Sequence, residues 1–209
     1  MIKGLIFDLD GTLIDSMHVW EEVDRQFFKR HGFSYDEHFV ASLAGLSLSA
    51  CADRFIDYFQ LEMPKTELIK EWQQMAYEQY AFHISENPGV RAFLQSVEQL
   101  PKIIATSNDL LLSEMCLQRL DLIRYFQEIV SCQQLNCSKD QPFIYQYAAE
   151  RLDLKPEECM VFEDLQLPMQ IAKQAGFKVI GVGEHCDFCD LSIRDFNDLL
   201  GEKWERVSR

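Results

Sequence analysis

The chain has 209 residues, 34 of them acidic and 20 basic, which gives a formal net charge of −14 and a pI near 4.7. This acidic balance argues against a nucleic-acid partner and against an anionic membrane surface, because both attract basic faces. The length suits one large domain or a domain with an insert. No apolar run approaches the roughly 20 residues of a membrane span. The chain also opens on a strand pattern rather than a secretory signal, so we expect a cytoplasmic protein.

Two aspartates follow the first apolar segment, which ends at Phe7. Asp8 and Asp10 are two positions apart, so strand geometry projects them to the same side, and Gly11 then lets the chain turn. Two like charges repel unless one is protonated or a cation lies between them, and Mg²⁺ prefers oxygen ligands. One aspartate beside such an ion can attack phosphorus while the other moves a proton. An ordinary Asp-Gly turn explains the same residues without chemistry.

A long helical segment follows this motif, and we predict an inserted helical module over residues 15–87. Apolar residues recur at helical spacing in three stripes, which begin at Val19, Leu48 and Leu68. Aromatic-rich stripes of this kind are more typical of a packed core than of a ligand pocket. The remaining segments, 1–14 and 88–209, are predicted to form the second part of the protein.

From residue 88 onward, short apolar segments alternate with helical ones. Strands are predicted over 102–106, 128–131, 159–163 and 177–182, and helices over 89–99, 110–121, 141–152, 166–175 and near 195–200. This alternation predicts an α/β fold with a doubly wound, Rossmann-like parallel-sheet core and an inserted α-helical domain. Ligands of such sheets bind at the carboxyl ends of the strands.

Polar side chains mark three further strand ends or loops. Thr106, Ser107 and Asn108 follow one strand, Lys139 precedes a helix, and Glu163 with Asp164 ends another strand. Helix capping explains the first group equally well, and an isolated lysine is usually a solvated one. Together with the first two aspartates, however, these residues make an oxygen-rich Mg²⁺ site with a cation and hydrogen-bond donors beside it.

Seven cysteines are scattered along the chain. An odd number in a chain of this size is typical of free thiols in a reducing compartment. Cys186 and Cys189, preceded by His185, could form half of a zinc site or a redox pair. Because the sequence shows no second pair with ligand spacing, a structural or incidental role is favoured.

In these motifs the chain resembles the haloacid dehalogenase-like hydrolase superfamily, in the branch of phosphoglycolate phosphatase and β-phosphoglucomutase. The resemblance covers essentially the whole chain and includes the helical insert, which it implies is a cap that closes over the site and selects substrate. It implies Asp8 as the nucleophile and a Mg²⁺ ligand, and Asp10 as the general acid/base with its backbone carbonyl on the metal. Thr106 would hydrogen-bond the phosphoryl group, Lys139 would neutralise it, and Glu163 and Asp164 would hold Mg²⁺ directly or through water.

The resemblance also implies residues that contact the substrate. Leu9, Gly11, Ser107 and Asn108 would line the phosphate site. Beside the resemblance, Trp20, Leu46 and Leu48 are candidates for an apolar part of the pocket, and packing within the helical insert explains them equally well.

The chain departs from the branch at positions that affect the substrate and the loops. Trp20 and Leu48 stand where the mutase has a histidine and a phosphate-gripping arginine, which favours a substrate with one phosphate. Asp140, Leu165 and Pro168 replace the usual proline, serine and glycine, which alters the two loops that follow Lys139 and Asp164.

These observations predict a Mg²⁺-dependent phosphatase that hydrolyses a small phosphate monoester, a sugar phosphate or similar metabolite, through an aspartyl-phosphate. The alternatives are a β-phosphoglucomutase-like mutase and a catalytically weak, metabolite-binding relative. A dehalogenase is disfavoured, since carbon–halogen displacement leaves Asp10 without a proton to transfer. The expected partner is a small phosphate monoester, and the expected assembly is a monomer or a weak homodimer.

Overall fold

The computed structural model describes residues 1–43, 48–183 and 185–208. The prediction that Leu46 lines a substrate pocket falls outside these residues. None of the helices in the described ranges is long and apolar enough to cross a bilayer.

Contacts along the chain divide it into two units. The core unit comprises Met1–Ser16 and Ile84–Arg209, and the helical unit comprises Met17–His83. The boundaries predicted from sequence were 14/15 and 87/88. The difference arises because backbone hydrogen bonds tie the flanking residues to the core: Asp15 N–H donates to Ser85 O and Asn87 N–H to Leu13 O, both at 2.9 Å.

The core unit contains one parallel sheet of six strands in the described part of the chain, in the order β3-β2-β1-β4-β5-β6. Its strands are β1 Gly4–Phe7, β2 Lys102–Thr106, β3 Glu128–Ser131, β4 Cys159–Glu163, β5 Lys178–Val182 and β6 Leu191–Ile193. The three central strands are buried along their whole length, as expected for a parallel sheet covered on both faces. The predicted doubly wound α/β fold is confirmed.

In its described residues, the helical unit contains four helices: α1 Val19–His31, α2 Glu37–Ala41, α3 Leu48–Phe59 and α4 Lys65–Phe82. Phe27, Phe55 and Trp72 form its centre, with ring centroids 5.4 Å apart for the first pair and 4.8 Å apart for the second. These three side chains are buried. The prediction of packed core is confirmed for these three residues, whereas Trp20 of the first stripe is 48% exposed.

Six further helices belong to the core unit: α5 Val90–Ser96, α6 Leu110–Arg119, α7 Cys132–Leu135, α8 Phe143–Arg151, α9 Gln166–Gln174 and α10 Glu202–Val207. The helix predicted near 195–200 is a short 3-10 turn, Phe196–Leu199. Neither β6 nor α10 was predicted from the sequence. The first is a three-residue strand with a polar centre, and the second buries no residue, so neither carries a clear apolar period.

The two faces of the sheet pack against different cores. Phe7 stacks on Phe162 with ring centroids 4.4 Å apart, and Phe196 completes this aromatic cluster. The alternate residues, among them Ile6 and Val161, belong to an aliphatic cluster that includes residues of α8. Alternation along each strand therefore buries both faces, and it leaves the strand ends as the places where polar groups collect.

Cys186 and Cys189 form a disulfide, so the expectation that all cysteines are free thiols is wrong for this pair. The tight turn between them brings their Cα atoms to 5.5 Å, which is within the usual range for a disulfide. The other five cysteines are thiols in the described part of the chain. The Sγ atoms of Cys186 and Cys189 are bonded to each other, so neither is a thiolate that could bind zinc. His185 Nε2 lies 2.8 Å from Asp187 Oδ1.

Candidate active site

The sheet register brings the predicted site residues to one edge. Phe7 of β1 is in register with Ile104 of β2 on one side and with Phe162 of β4 on the other. Asp8, the next residue, therefore emerges beside Glu163 of β4, and its N–H donates to Phe162 O at 2.9 Å. Thr106 ends β2 at the same edge. Residues far apart in sequence meet here because parallel strands all end on the same side.

A buried lysine joins two of the carboxylates. Lys139 Nζ donates to Asp8 Oδ1 and, at 2.8 Å, to Glu163 Oε2. The hydroxyl of Tyr145, on α8, donates to the same Glu163 oxygen at 2.9 Å. All four side chains are buried. Lys139 is thus a fixed internal cation and not the solvated lysine that its sequence context alone would favour.

The third carboxylate completes a cluster that suits a divalent cation. Single oxygens of Asp8, Glu163 and Asp164 lie within 4.8 Å of one another, and Thr12 Oγ1 donates to Asp164 Oδ1 at 3.4 Å. Glu163 Oε1 is buried, and among the described residues it has no hydrogen-bond partner. Three carboxylates face one ammonium, and an orphaned carboxylate oxygen inside the cluster needs a cation. The donor set fits Mg²⁺, which binds carboxylate oxygens.

The pKa values reflect this imbalance of charge. Burial, with the Glu163 charge added, raises the pKa of Asp8 to about 8 even though Lys139 opposes the shift. Burial and the charge of Asp8 raise the pKa of Asp164 to about 6. Burial alone would lower the pKa of Lys139, but the Asp8 and Glu163 carboxylates outweigh it and raise that pKa well above its usual value. Without a metal, the site therefore disfavours full ionisation of its carboxylates.

Asp10 is held apart from the carboxylate cluster. Ser16 Oγ donates to its Oδ1 at 2.6 Å, and Asn108 Nδ2 donates to its Oδ2 at 2.9 Å. Two donors thus hold the carboxylate group in one orientation. A fixed orientation suits a carboxyl group that donates and accepts a proton at one position. The predicted metal contact of Asp10 is through its backbone carbonyl, which these two hydrogen bonds do not involve.

The loop after β1 is fixed by its backbone. Gly11 has a φ of +83°, which glycine adopts without strain, and its N–H donates to Ile14 O at 2.9 Å. Asn87 Nδ2 donates to the carbonyls of Gly11 and Thr12 at 2.9 and 2.8 Å. The side chain of Leu9 is fully buried, so only its backbone is available to a ligand.

The loop after β2 brings some predicted residues to the site and turns one away. The N–H of Asn108 donates to Thr106 Oγ1 at 3.0 Å, while its side chain reaches Asp10 as described above. Ser107 is exposed, and its hydroxyl lies 3.8 Å from Cys132 Sγ. Thr106 and Asn108 are therefore placed with the first loop, whereas the described contact of Ser107 is with Cys132.

The predicted pocket residues of the insert lie in the helical unit. Trp20 and Leu48 both line a cavity of about 490 Å³ there, together with Asp24 and Trp72. Trp20 is 48% exposed. Trp20 and Leu48 therefore line a cavity that is formed by residues of the helical unit.

The three departures from the family pattern lie outside the carboxylate cluster. Asp140 is exposed and accepts a hydrogen bond from Ser138. Leu165 is 52% exposed, and Pro168 is a buried residue in the first turn of α9, where a missing N–H leaves no helical bond unmade. None of these changes removes a group from the contacts among the site residues.

Sequence reasoning missed four residues that orient the site: Thr12, Ser16, Asn87 and Tyr145. Thr12 and Ser16 follow Asp8 and Asp10 closely in the sequence, so their hydroxyls could have been predicted to donate hydrogen bonds to the carboxylates of the site. Asn87 was assigned to the boundary of the insert. Tyr145 lies among apolar residues of α8 and looks like ordinary core, so only the fold reveals its contact with Glu163.

Comparison with known proteins agrees with this arrangement. A family model of haloacid dehalogenase-like hydrolases matches residues 5–182. The fructose-1-phosphate phosphatase of Escherichia coli is 26% identical over 179 residues, covering 86% of this chain and 95% of that protein. The β-phosphoglucomutase of Bacillus subtilis is 27% identical over 222 residues, covering 98% of this chain and 96% of that protein.

The fold agrees as well. A crystal structure of β-phosphoglucomutase from Clostridium difficile has a TM-score of 0.78, covers 100% of this chain and 97% of that one, and is 21% identical. The chain belongs to the haloacid dehalogenase-like hydrolase family. The family resemblance read from the sequence is confirmed.

Replacing Lys139 by methionine is expected to destabilise the metal-free protein by about 3–5 kcal/mol, because two buried carboxylates then lose their counter-ion. Urea unfolding in EDTA at pH 7 measures this change. Lys3→Met is the matched control, since it removes an exposed ion pair with Glu158 and is expected to lose far less stability than Lys139→Met. Equal losses in the two variants would contradict a buried cation at the centre of the site.

In EDTA, the melting temperature is expected to fall as the pH rises from 5 to 8. The raised pKa values of Asp8 and Asp164 mean that the folded chain binds protons that the unfolded chain releases above about pH 4, so each step upward disfavours folding. Lys139 remains protonated throughout this range and contributes no slope. Thermal melts of the wild type and of Asp164→Asn measure the effect, and the variant should show a shallower fall.

Mg²⁺ should stabilise the folded protein at pH 8. At a concentration one hundred times its Kd, it should raise the free energy of unfolding by about 2.7 kcal/mol. The exposed Asp153 provides a control, and Asp153→Asn should match the wild type in both buffers. An unchanged slope in Asp164→Asn, or no response to Mg²⁺, would argue against a metal site in the carboxylate cluster.

Proposed function

We propose that the protein is a Mg²⁺-dependent phosphatase that hydrolyses a small phosphate monoester through an aspartyl-phosphate on Asp8. The observation that carries the proposal is the buried cluster in which Asp8 meets Lys139, Glu163 and Asp164 at the strand ends. Family membership supports the same reaction class.

Asp8 is the proposed nucleophile. Its second carboxylate oxygen would attack phosphorus while Lys139 holds the first and offsets the negative charge that gathers on the phosphoryl group. Asp8, Glu163 and Asp164 would hold Mg²⁺ by their side chains, and Asp10 by its backbone carbonyl. When bound, Mg²⁺ supplies positive charge that polarises the phosphoryl oxygens and keeps the carboxylates ionised.

Asp10 is the proposed general acid and base. As the bond between phosphorus and the leaving oxygen breaks, it donates a proton to the alkoxide, and it then takes a proton from the water that hydrolyses the aspartyl-phosphate. Ser16 and Asn108 keep its carboxyl group oriented for both transfers. Asp8 is regenerated, and the products are an alcohol and inorganic phosphate.

The phosphate group would be held by both loops. We infer that Thr106 and Asn108 donate hydrogen bonds to it and that the backbone around Leu9 and Gly11 lines the same site. Ser107 remains a candidate through its backbone, since its hydroxyl lies against Cys132. The helical unit would act as the cap that selects the substrate, with Trp20, Leu46 and Leu48 on its apolar side.

The proposed substrate is a sugar phosphate or a similar small metabolite. The similarity to the fructose-1-phosphate phosphatase of Escherichia coli supports this class. The cytoplasmic location and the monomer or weak homodimer stay predictions.

A sugar-phosphate mutase is the second candidate. The similarity to the β-phosphoglucomutase of Bacillus subtilis extends over 98% of the chain and favours it. Trp20 and Leu48 argue for the phosphatase, because an indole and a leucine supply neither a base nor a second phosphate grip. A dehalogenase would not use the hydrogen-bonded Asp10, because carbon–halogen displacement needs no proton transfer to the leaving group. A catalytically degraded binding protein would not need the intact buried cluster.

Phosphate release from a panel of sugar, nucleotide and small organic acid monophosphates tests the proposal. The wild type should act on a few related compounds with Mg²⁺ and lose activity in EDTA. Asp8→Asn should lower kcat by at least about 10³-fold, and Asp10→Asn by about 10²–10⁴-fold. Asp153→Asn, an exposed carboxylate change, should retain full activity.

The alternatives give different results in the same assay. Conversion of glucose 1-phosphate into glucose 6-phosphate that depends on a bisphosphate activator would identify the mutase. Full turnover by Asp8→Asn would contradict the proposed nucleophile.

A further inference from the structure

The cavity of the helical unit is large enough for a small molecule. Its volume is about 490 Å³, within the range of typical ligand pockets. The lining includes the aromatic residues Trp20, Phe55 and Trp72 and the acidic residues Glu21 and Asp24. Apolar walls with a few polar groups are the usual composition of a small-molecule site.

The cavity carries a negative charge that the described residues leave uncompensated. Glu21 is paired with Arg25, whose Nη2 lies 2.5 Å from Glu21 Oε1. Asp24 has neither a hydrogen bond nor an ion pair with any residue in the described ranges, and no described lining residue is basic. Asp24 is therefore a half-buried carboxylate without a counter-ion among the described residues.

The surroundings of Asp24 are poorly solvated. Burial, with the charge of Glu21 added, raises the pKa of Asp24 to about 6, so the carboxyl group is mostly ionised at neutral pH. Holding a desolvated charge without a partner is unfavourable. A cation in the cavity would remove that penalty.

Trp72 adds an aromatic wall to the cavity, and its side chain is only 3% exposed. Aromatic rings also attract organic cations through their faces, most strongly when the site excludes water. A ligand with an ammonium group would therefore neutralise Asp24 while its carbon atoms contact these rings.

We propose that this cavity binds a small organic ammonium compound, with its charged nitrogen against Asp24 and its carbon atoms among Trp20, Phe55 and Trp72. An anion would be repelled by Asp24, and a neutral apolar molecule would desolvate that carboxylate further. A bare metal ion would find few ligands, since the described residues form a three-residue metal-ligating group only at Asp8, Glu163 and Asp164. The inference rests on the cavity and goes beyond the proposed hydrolysis.

Calorimetric titration with matched probes tests the inference. Choline and benzylamine are compared with their neutral counterparts, 3,3-dimethylbutan-1-ol and benzyl alcohol, on the metal-free protein. We expect at least one amine to bind, and to bind at least ten-fold more tightly than its neutral counterpart. Failure of both amines to bind, or equal binding of the neutral compounds, would overturn the inference.

Asp24→Asn is the decisive variant, because it keeps the shape of the side chain and removes its charge. Since Asp24 has no described partner to lose, the variant is expected to fold with a melting temperature at or above that of the wild type. It should bind the amine at least ten-fold more weakly. Glu22→Gln, on the same helix but outside the cavity lining, is the control and should bind as the wild type does. Unchanged binding by a folded Asp24→Asn would overturn the inference.

Two further measurements separate the sources of the ammonium group. If it belongs to the substrate, phosphocholine or phosphoethanolamine should be hydrolysed, and Asp24→Asn should lower kcat/KM for these esters but not for a neutral sugar phosphate. If it belongs to a separate ligand, the amine should bind while its phosphate ester is not hydrolysed. Amine binding by Asp8→Asn should be unchanged in either case, so failure of the proposed hydrolysis is distinguishable from failure of this site.

Discussion

The contact of the Lys139 ammonium with Asp8 and Glu163 is the interaction on which the rest of the site depends. Three carboxylate oxygens within 4.8 Å of one another repel, and one lysine balances only part of their charge. Burial makes the imbalance more severe, because the interior solvates ions poorly. Such a cluster stays fully ionised only with a further cation, and the proposed phosphoryl transfer would use the same cation. The same excess of negative charge that disfavours the metal-free fold therefore prepares the site for its chemistry.

The sheet makes this unfavourable cluster possible. β1 lies between β2 and β4, so Asp8 emerges between Thr106 and Glu163, and apolar packing on both faces stabilises the strands that hold them. The supporting contacts come from loops and from α8: Asn87 fixes the first loop, and Tyr145 satisfies one oxygen of Glu163. Separate donors keep Asp10 outside the cluster. Two carboxylates from one short motif thus have different environments and different proposed roles.

Much of this organisation could be predicted from the sequence, because it follows from local patterns. Alternating apolar segments identified the parallel strands, and the polar residues that follow them identified Asp8, Lys139 and Glu163. What could not be predicted depends on the tertiary fold. Tyr145 looks like core until α8 is seen to face Glu163, and β6 is too short to show a period. Cys186 and Cys189 form a disulfide because of a turn whose geometry spacing alone does not define. That no described residue pairs with Asp24 is equally a property of the fold.

The most direct test of the central claim is the proton balance of Mg²⁺ binding, measured near pH 7 by calorimetry in buffers of different ionisation enthalpy. If the carboxylate cluster binds the ion, the raised pKa values of Asp8 and Asp164 must fall on binding, and protons are released to the buffer. Most of the released protons should come from Asp8, because Asp164, with a pKa of about 6, is already mostly ionised near pH 7. Asp164→Asn should bind Mg²⁺ more weakly. Mg²⁺ binding with no proton release, or equally tight binding by the variant, would contradict the claim that these buried carboxylates hold the metal.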